Sequence, residues 1–375
     1  MHVVFVQPLL PKYAISFFNR LALIDGVEVT VLADLLCDKQ LNQYEEGHCL
    51  FTAIHLEDRT FSRFVIRPNL GKILTTLTYD YLILNAAPRD LSQFYRLVIS
   101  RIKGERVFTW GMFHRIGRKK FLSEFYYKIA GKLSIACLTY TKKGINSQLM
   151  RGINGKKLIE IGTALDEKEI ISEKNKRTVA ELNDFKNING LNDKKVVLQV
   201  VRLSSIKKPH LLIEAAEILL KIKPNIVFIL IGGGDLELDL KNKVTACGIS
   251  NSVFFLGPIY DEKILSFWFL SADVFVIPSC IGLSAHHAMC YGLPIITDND
   301  YDHQASEFEI LSDGLNAVLY EANSVEKMSS KIYDLLDDEE KYKFISDNAF
   351  YTVTKINNLD SKVSNIVNAL KRFEK

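Results

Sequence analysis

Short runs of apolar, mostly β-branched residues alternate along this chain with longer stretches whose apolar positions recur every three or four residues. The segments "HVVFVQ" (2–7), "VEVTVLA" (27–33), "YDYLILN" (79–85), "ERVFTW" (105–110) and "IACLTY" (135–140) have the length and continuous hydrophobicity of strands buried on both faces. Helical spacing fills several of the gaps, as in "AISFFNRLALID" after the first strand. This order predicts a parallel sheet with crossover helices.

The rhythm stops between 166 and 193, a stretch dense in Lys, Glu, Asn and Asp that reads as a linker or a solvated peripheral helix. A second alternating series follows, from "KKVVLQVVRL" through "NIVFILIGGG", "SVFFLGPI" and "DVFVIPS" to "LPIITD", with helix-length patterns between. After Asn316 the spacing is helical. The division expected is a first domain over 1–165, a linker region over 166–193, a second domain over 194–345, and a C-terminal helix over 346–375 that packs back on the first. The fold class is α/β, with two doubly wound Rossmann-like domains facing a central cleft. In such sheets ligands sit beyond the carboxyl ends of the strands, so the chemistry is expected there.

Composition narrows the class. With 375 residues, 48% hydrophobic and 24% charged, core burial is not limiting, and a net charge of +3 is too small for a dedicated nucleic-acid binder. Six cysteines show no C-x-x-C pair and no zinc spacing, which fits small buried hydrophobes in a reducing compartment. The first residues have no basic n-region or cleavage site, and no segment reaches the roughly 18 apolar residues that span a bilayer. A cytoplasmic protein is expected.

Three features of the second series point to a phosphate-bearing ligand. "VVRLSSIKK" puts Arg202 and Lys207 after a strand, where guanidinium and ammonium would clamp a diphosphate; alternatively both are solvated loop charges. "LIGGGDLE" puts Gly233 and its neighbours after another strand, where a missing Cβ allows either close ligand approach or a plain tight turn. "IGLSAHHAMCYG" offers the amides of Leu283 and Ser284 at a helix N-terminus, with Gly282 permitting close approach. On that helix Ser284 and His287 share a face, while His286 is turned away by about 100° and is expected to be structural. The loop "TDNDYDH" contains a D-x-D through Asp298 and Asp300, but no metal site is expected there. No Ser-His-Asp order and no H-E-x-x-H pattern supports hydrolase or zinc chemistry.

The segment 114–132 carries six Lys or Arg against the single Glu124, with Phe121, Phe125 and Ile129 four apart. Such a helix suits an anionic membrane surface; an ordinary domain helix with snorkelling lysines fits equally.

Taken together, "VVRLSSIKKPHLLIEAAEILL…LIGGGDLELDL…VFFLGPI…PSCIGLSAHHAMCYGLPIIT…EILSDGLNA" resembles the donor domain of the retaining GT-B glycosyltransferases of family 4, over about 120 residues. "VFVQPLLPKYAISFFNRLA" and "FTWGMFHRIGRKKF" resemble the acceptor domain of members that build bacterial surface polysaccharides. The resemblance implies that Arg202 and Lys207 hold the donor diphosphate; Leu256 and its neighbours are expected to line the base pocket through backbone contacts, and His114, near the strand end after Trp110, is the candidate for contacting the transferred sugar or acceptor. It also shows departures. The family has two glutamates, one for the sugar and one for the ribose, where this chain has Ser279 and His287. Glu307 or Glu309 from the next loop would supply the missing carboxylate.

The expected activity is retaining transfer of a sugar from a nucleotide diphosphate sugar to a glycan or lipid-linked acceptor, in capsule, O-antigen or exopolysaccharide synthesis. Arg202 and Lys207 would replace a metal, and no further cofactor is implied. The expected location is cytoplasmic, with peripheral attachment at the inner face of the cell membrane through 114–132. A catalytically silent GT-B binding subunit and a sugar-nucleotide epimerase are the alternatives.

Overall fold

A computed structural model describes residues 1–36, 47–117 and 120–374. Cys37, one of the six cysteines, and Arg118 and Lys119, two of the six basic residues of 114–132, lie outside the described residues.

The chain divides into two compact units, one of 1–166 with 359–375 and one of 167–358. The first contains β1 (His2–Val6), α1 (Lys12–Ala22), β2 (Glu28–Ala33), β3 (Thr52–His55), a hairpin of β4 (Arg59–Phe61) and β5 (Phe64–Ile66), and α2 (Leu70–Thr76). It continues through β6 (Tyr81–Asn85), α3 (Leu91–Lys103), β7 (Val107–Gly111), α4 (Phe121–Leu133), β8 (Ala136–Thr139), α5 (Lys142–Met150) and β9 (Leu158–Glu160). Seven of these strands form one parallel sheet in the order β3-β2-β1-β6-β7-β8-β9.

Alternation along β1 shows why both faces are apolar. Val3 and Phe5 enter the cluster with Phe17, Phe18 and Leu21 of α1, whereas Val4 and Val6 enter the opposite cluster with Leu74 of α2, Leu97 of α3 and Tyr126 of α4. The last helix of the chain, Leu359–Lys371, joins the α1 side through Val363, Ile366 and Leu370.

The second unit opens with α6 (Glu167–Asn175) and α7 (Val179–Ile188), and continues with β10 (Lys195–Val200), α8 (Pro209–Ile222), β11 (Ile226–Ile231), α9 (Glu237–Ala246) and β12 (Val253–Phe255). There follow α10 (Glu262–Ser271), β13 (Val274–Val276), α11 (Ser284–Cys290), β14 (Ile295–Asp298), β15 (Ala317–Tyr320), α12 (Val325–Asp337) and α13 (Glu339–Tyr351). Its sheet is parallel throughout, in the order β12-β11-β10-β13-β14-β15. All six strands therefore deliver their carboxyl ends to one edge.

Three boundaries differ from the sequence expectation. The stretch over 166–193, expected as a linker or a solvated peripheral helix, is largely helix, and from Glu167 onward it is part of the second unit. Thr178 and Glu181 form a capping box that starts α7. Phe185 then stacks on Phe267 at 5.1 Å and meets Trp268 edge-on at 4.8 Å. The tail after Asn316, expected to be helical, first adds β15 as an edge strand, with Ala317 and Val318 paired to Ile295 and Ile296. The final helix starts at Leu359 rather than 346, because α13 and the turn after it remain with the second unit through Ile345, Ala349 and Val353.

Candidate functional site

Five loops meet at the carboxyl edge of the second sheet, and most of the residues singled out above lie on them. The loop after β10 carries Arg202, exposed, and Lys207, half-buried in a short 3-10 turn, Ser205–Lys207. Lys207 Nζ donates to the main-chain oxygen of Cys280 in the loop after β13. A Cβ placed on Gly282 would sit 3.6 Å from Lys207 Nζ and 4.0 Å from Glu307 Oε2. Glu307 is buried, in the turn Ser306–Ile310, and the Ser306 hydroxyl donates to its carboxylate at 3.2 Å. Lys207, Gly282 and Glu307, from three separate loops, thus converge. The amides of Leu283 and Ser284 open α11 beside them and have no intrahelical carbonyl to donate to.

The loop 278–283 is held from several sides. Tyr320 Oη donates to Pro278 O at 2.8 Å, and Gln304 Oε1 accepts from Ile281 N at 2.7 Å. Gln304 Nε2 donates to Thr297 Oγ1 at 3.1 Å and to Asp298 Oδ1 at 2.7 Å. Cys280 takes a positive φ of 52°, and Lys208 one of 48° at the start of α8, conformations that a non-glycine residue keeps only when its surroundings enforce them. Burial raises the Cys280 thiol above its ordinary range, with Lys207 opposing.

Asp298 is fully buried behind this loop. Loss of water raises its carboxyl above the usual range, opposed by Ser279, the Asp300 amide, Lys208 and Gln304. Lys208 Nζ lies 3.9 Å from Asp298 Oδ2. Ser279 is also fully buried and turns its hydroxyl towards that carboxyl without closing a well-formed hydrogen bond. The rest of the acidic loop bonds within itself: Asp300 Oδ2 lies 2.7 Å from His303 Nδ1, and Asp302 N donates to Asp300 Oδ1 at 3.2 Å.

The glycine run after β11 proves mainly a packing device. A Cβ on Gly232 would lie 2.0 Å from Val201 O, and one on Gly234 2.1 Å from Leu203 O, so both serve the close passage of the β10 loop. Gly233 has its nearest neighbour at Pro258, 3.7 Å away, and is the member with room beside it. Leu256 is half-buried after β12, its N–H donated to Leu230 O at 3.0 Å.

His287 is placed differently from the expectation that it faces the ligand. Its Nε2 lies 2.8 Å from Glu262 Oε1 on α10, and its ring stacks on Phe269 at 4.4 Å. Tyr291 Oη donates to the same carboxylate oxygen at 3.0 Å. His287 is therefore engaged in fastening α11 to α10. Helical phase alone put it on the Ser284 side, but the acidic partner comes from another helix. His286 is buried as well, at 1% exposure. Glu309, the second carboxylate considered, accepts from Tyr301 Oη at 2.7 Å. His114 belongs to the first unit, buried after β7 with Nδ1 2.8 Å from Met112 O.

The residues that sequence reasoning missed are Gln304, Lys208 and Tyr320, which position rather than charge the loop. Their only signal is burial and cross-loop bonding, which no spacing reports. Among the described residues no group of three or more His, Cys, Asp or Glu could hold a metal ion.

Residues 182–351 match the sequence model of the family described as glycosyl transferases group 1. Among curated relatives, spore coat protein SA of Bacillus subtilis is 31% identical over 163 residues, 40% of this chain and 42% of that protein. The poly(glycerol-phosphate) alpha-glucosyltransferase of Bacillus subtilis is 26% identical over 171 residues, 45% of this chain and 24% of that protein. The chain thus spans less than half the length of these relatives. Among solved structures, Anabaena HepE in complex with UDP superposes with a TM-score of 0.77 at 18% identity, all of both chains being covered; its UDP-glucose complex gives 0.75 at 17%. The chain thus matches the glycosyl transferases group 1 model over residues 182–351, and its two parallel-sheet units have the fold seen in the GT-B structures.

Proposed function

We propose that this protein is a retaining glycosyltransferase that takes a sugar from a nucleotide diphosphate sugar and passes it to a glycan or lipid-linked acceptor in surface-polysaccharide synthesis. One observation carries the reading: Lys207 and Glu307 converge on Gly282 beside the opening amides of α11, inside the family-matched segment. The HepE complexes with UDP and UDP-glucose support a donor of this class, and the name poly(glycerol-phosphate) alpha-glucosyltransferase on one relative supports a polymeric acceptor.

In this reading the bond from the sugar C1 to the distal phosphate oxygen breaks, and negative charge builds on that phosphate. Lys207, Arg202 and the amides of Leu283 and Ser284 face the developing charge, where preorganised donors lower a barrier most. Together they take the place of a metal. The acceptor oxygen bonds C1 on the face the phosphate leaves, and its proton passes to the departing phosphate oxygen. Glu307 orients the transferred sugar, the part that Ser279 is too short to play. Leu256 lines the base pocket, and His114 contacts the sugar or acceptor.

The test is calorimetric titration of uridine, guanosine and deoxythymidine diphosphates, followed by incubation of the matching labelled sugar donor with lipid and glycan acceptors in the presence of EDTA. One diphosphate is expected to bind and its donor to release nucleotide only when acceptor is present, with the anomeric configuration kept in the product. Binding of none of the three, or conversion of donor to an isomeric sugar without acceptor, would overturn the reading.

A further inference from the structure

The helix α4 has two unlike faces. Ser123, Tyr126, Tyr127, Ala130 and Gly131 are buried against the first unit. On the other side Phe121 is 83% exposed, Leu122 54% and Phe125 53%. Lys128 and Lys132, both exposed, continue that stripe at helical spacing, and Lys120 precedes it. The Phe121 and Phe125 rings stack on each other at 6.5 Å, with 18° between their planes. The helix has one acid, Glu124, and Arg151 takes it with bonds of 2.8 and 3.0 Å. The exposed face is thus apolar where the helix begins, cationic further along, and free of uncompensated negative charge.

A second projection repeats the pattern. At the tip of the β4–β5 hairpin Phe61 is 75% exposed between Arg59 and Arg63. The acids beside it are held by arginines, Glu57 by Arg59 at 3.5 Å and Asp58 by Arg67 at 3.2 Å. Val65 of the hairpin donates to Arg89 O at 2.8 Å, just before α3. In a parallel sheet the helices α3 and α4 both start at the carboxyl edge, and both lie on the same side of it, in the cluster with Leu97 and Tyr126. The second strand of the hairpin is thus tied to the start of α3, at the edge where α4 also starts.

A single exposed phenylalanine on a soluble surface is ordinary. Three large apolar side chains within two turns, framed by lysines, are what a bilayer interface accommodates: rings enter the headgroup layer while ammonium groups stay with lipid phosphates. We propose that this edge of the first unit docks on an anionic lipid bilayer, with Phe121, Leu122 and Phe125 inserted and Lys120, Lys128 and Lys132 on the headgroups. The choice of a lipid surface rests on charge complementarity joined to insertable aromatic groups. It stands apart from the transfer reading, since a chain without transferase activity would still bind.

The experiment is co-sedimentation of the full chain with vesicles of phosphatidylcholine alone and with added phosphatidylglycerol. Binding is expected only with phosphatidylglycerol present, weakening as salt rises. Phe121→Ser with Phe125→Ser should lower partitioning about tenfold or more. Lys120→Gln, Lys128→Gln and Lys132→Gln should lower it about fivefold for each lysine removed. All of these side chains are exposed, so the variants should keep the parent melting temperature, which circular dichroism checks. Equal binding to both vesicle types, binding to neither, or variants that bind like the parent would overturn the proposal. So would a chain that ignores vesicles but forms dimers in sedimentation velocity that the paired serine variant dissolves, because the stripe would then be a contact between copies.

Discussion

His287 and Glu262 are joined across two helices, Nε2 to Oε1 at 2.8 Å, with Phe269 stacked beneath the imidazole. Both side chains are largely withdrawn from solvent, at 14% and 15% exposure. Removing the imidazole leaves the Glu262 carboxylate with Tyr291 and opens a gap over Phe269. His287→Ala should therefore lose about 2 kcal/mol of stability. Its affinity for a nucleoside diphosphate should stay within about threefold of the parent, a shift below 1 kcal/mol. Thermal melts and calorimetry measure the two effects separately, and a large loss of affinity with unchanged melting would restore His287 to the donor site.

Lys207 and Arg202 should act alike on diphosphate binding. Lys207→Ala removes a cation next to Gly282 and a tie on Cys280 O, and Arg202→Ala removes an exposed guanidinium that makes no ion pair among the described residues. Charge-assisted bonds of this kind contribute about 1.5–3 kcal/mol, so each change should weaken diphosphate binding roughly ten- to a hundredfold. Arg202→Ala should leave the melting temperature within a degree or so, given typical surface effects. Isothermal titration of the parent's best diphosphate settles both.

Glu307 and Glu309 offer a paired comparison two residues apart. Glu307 is buried near Lys207, whereas Glu309 is committed to Tyr301 Oη. Steady-state rates with saturating acceptor should fall at least tenfold in Glu307→Gln and stay within about twofold in Glu309→Gln, if a charged contact to the sugar is lost only in the first. Equal effects in the two variants would remove Glu307 from its proposed role.

Gly234 tests the packing account of the glycine run. An alanine there would place its Cβ 2.1 Å from Leu203 O, a clash with backbone that only movement of the β10 loop relieves. The cost should be about 1–3 kcal/mol, seen as several degrees in a unit of this size. Gly233→Ala meets nothing closer than 3.7 Å and should melt like the parent, so that any change it makes appears in ligand binding alone.

Asp298 gives the site a pH signature. Burial raises its carboxyl above the ordinary 3.8, so the folded chain keeps this proton at pH values where the unfolded chain has released it. The group's favourable contribution is complete below pH 3.8 and is lost as pH rises through the folded value. Asn at this position cannot titrate, yet its oxygen still accepts from Gln304 and from the Asp300 amide. The melting temperature of Asp298→Asn relative to the parent should therefore increase as pH rises from 3.8 through the folded value, and level off above it. A difference that is flat or that shrinks would mean that Lys208 governs the carboxyl instead.

How much of this was readable beforehand depended on whether the cause was local. Strands such as Lys195–Val200 and Ile226–Ile231 announce themselves because a strand buried on both faces must be apolar at nearly every position. The loops after β10 and β13 carried Arg202, Lys207 and Gly282, residue types that a phosphate site needs, so their grouping on one edge followed from topology. The helix α7 could be offered only as an alternative to a linker, because its apolar anchor, Phe185, is meaningful only against Phe267 and Trp268, some eighty residues on. Thr52–His55 and Ala317–Tyr320 are short edge strands with little pattern of their own. His287 misled for a related reason: helical phase fixes which residues are neighbours on α11 but not which side of α11 meets Glu262. Glu307 and Glu309 could not be told apart by spacing, since only burial separates them.

The return of the chain at Leu359 has a consequence for how the molecule is made. Val363, Ile366 and Leu370 cover one side of a sheet whose strands were all completed by Glu160, and Lys362 lies over the Phe17 ring at 5.0 Å. On the ribosome that sheet waits, with an apolar side uncovered, while the whole of 167–358 is synthesised and able to fold as one uninterrupted piece. The unit that begins first is the one finished last. A gene fragment ending before Leu359 would thus leave that side of the first unit's sheet uncovered.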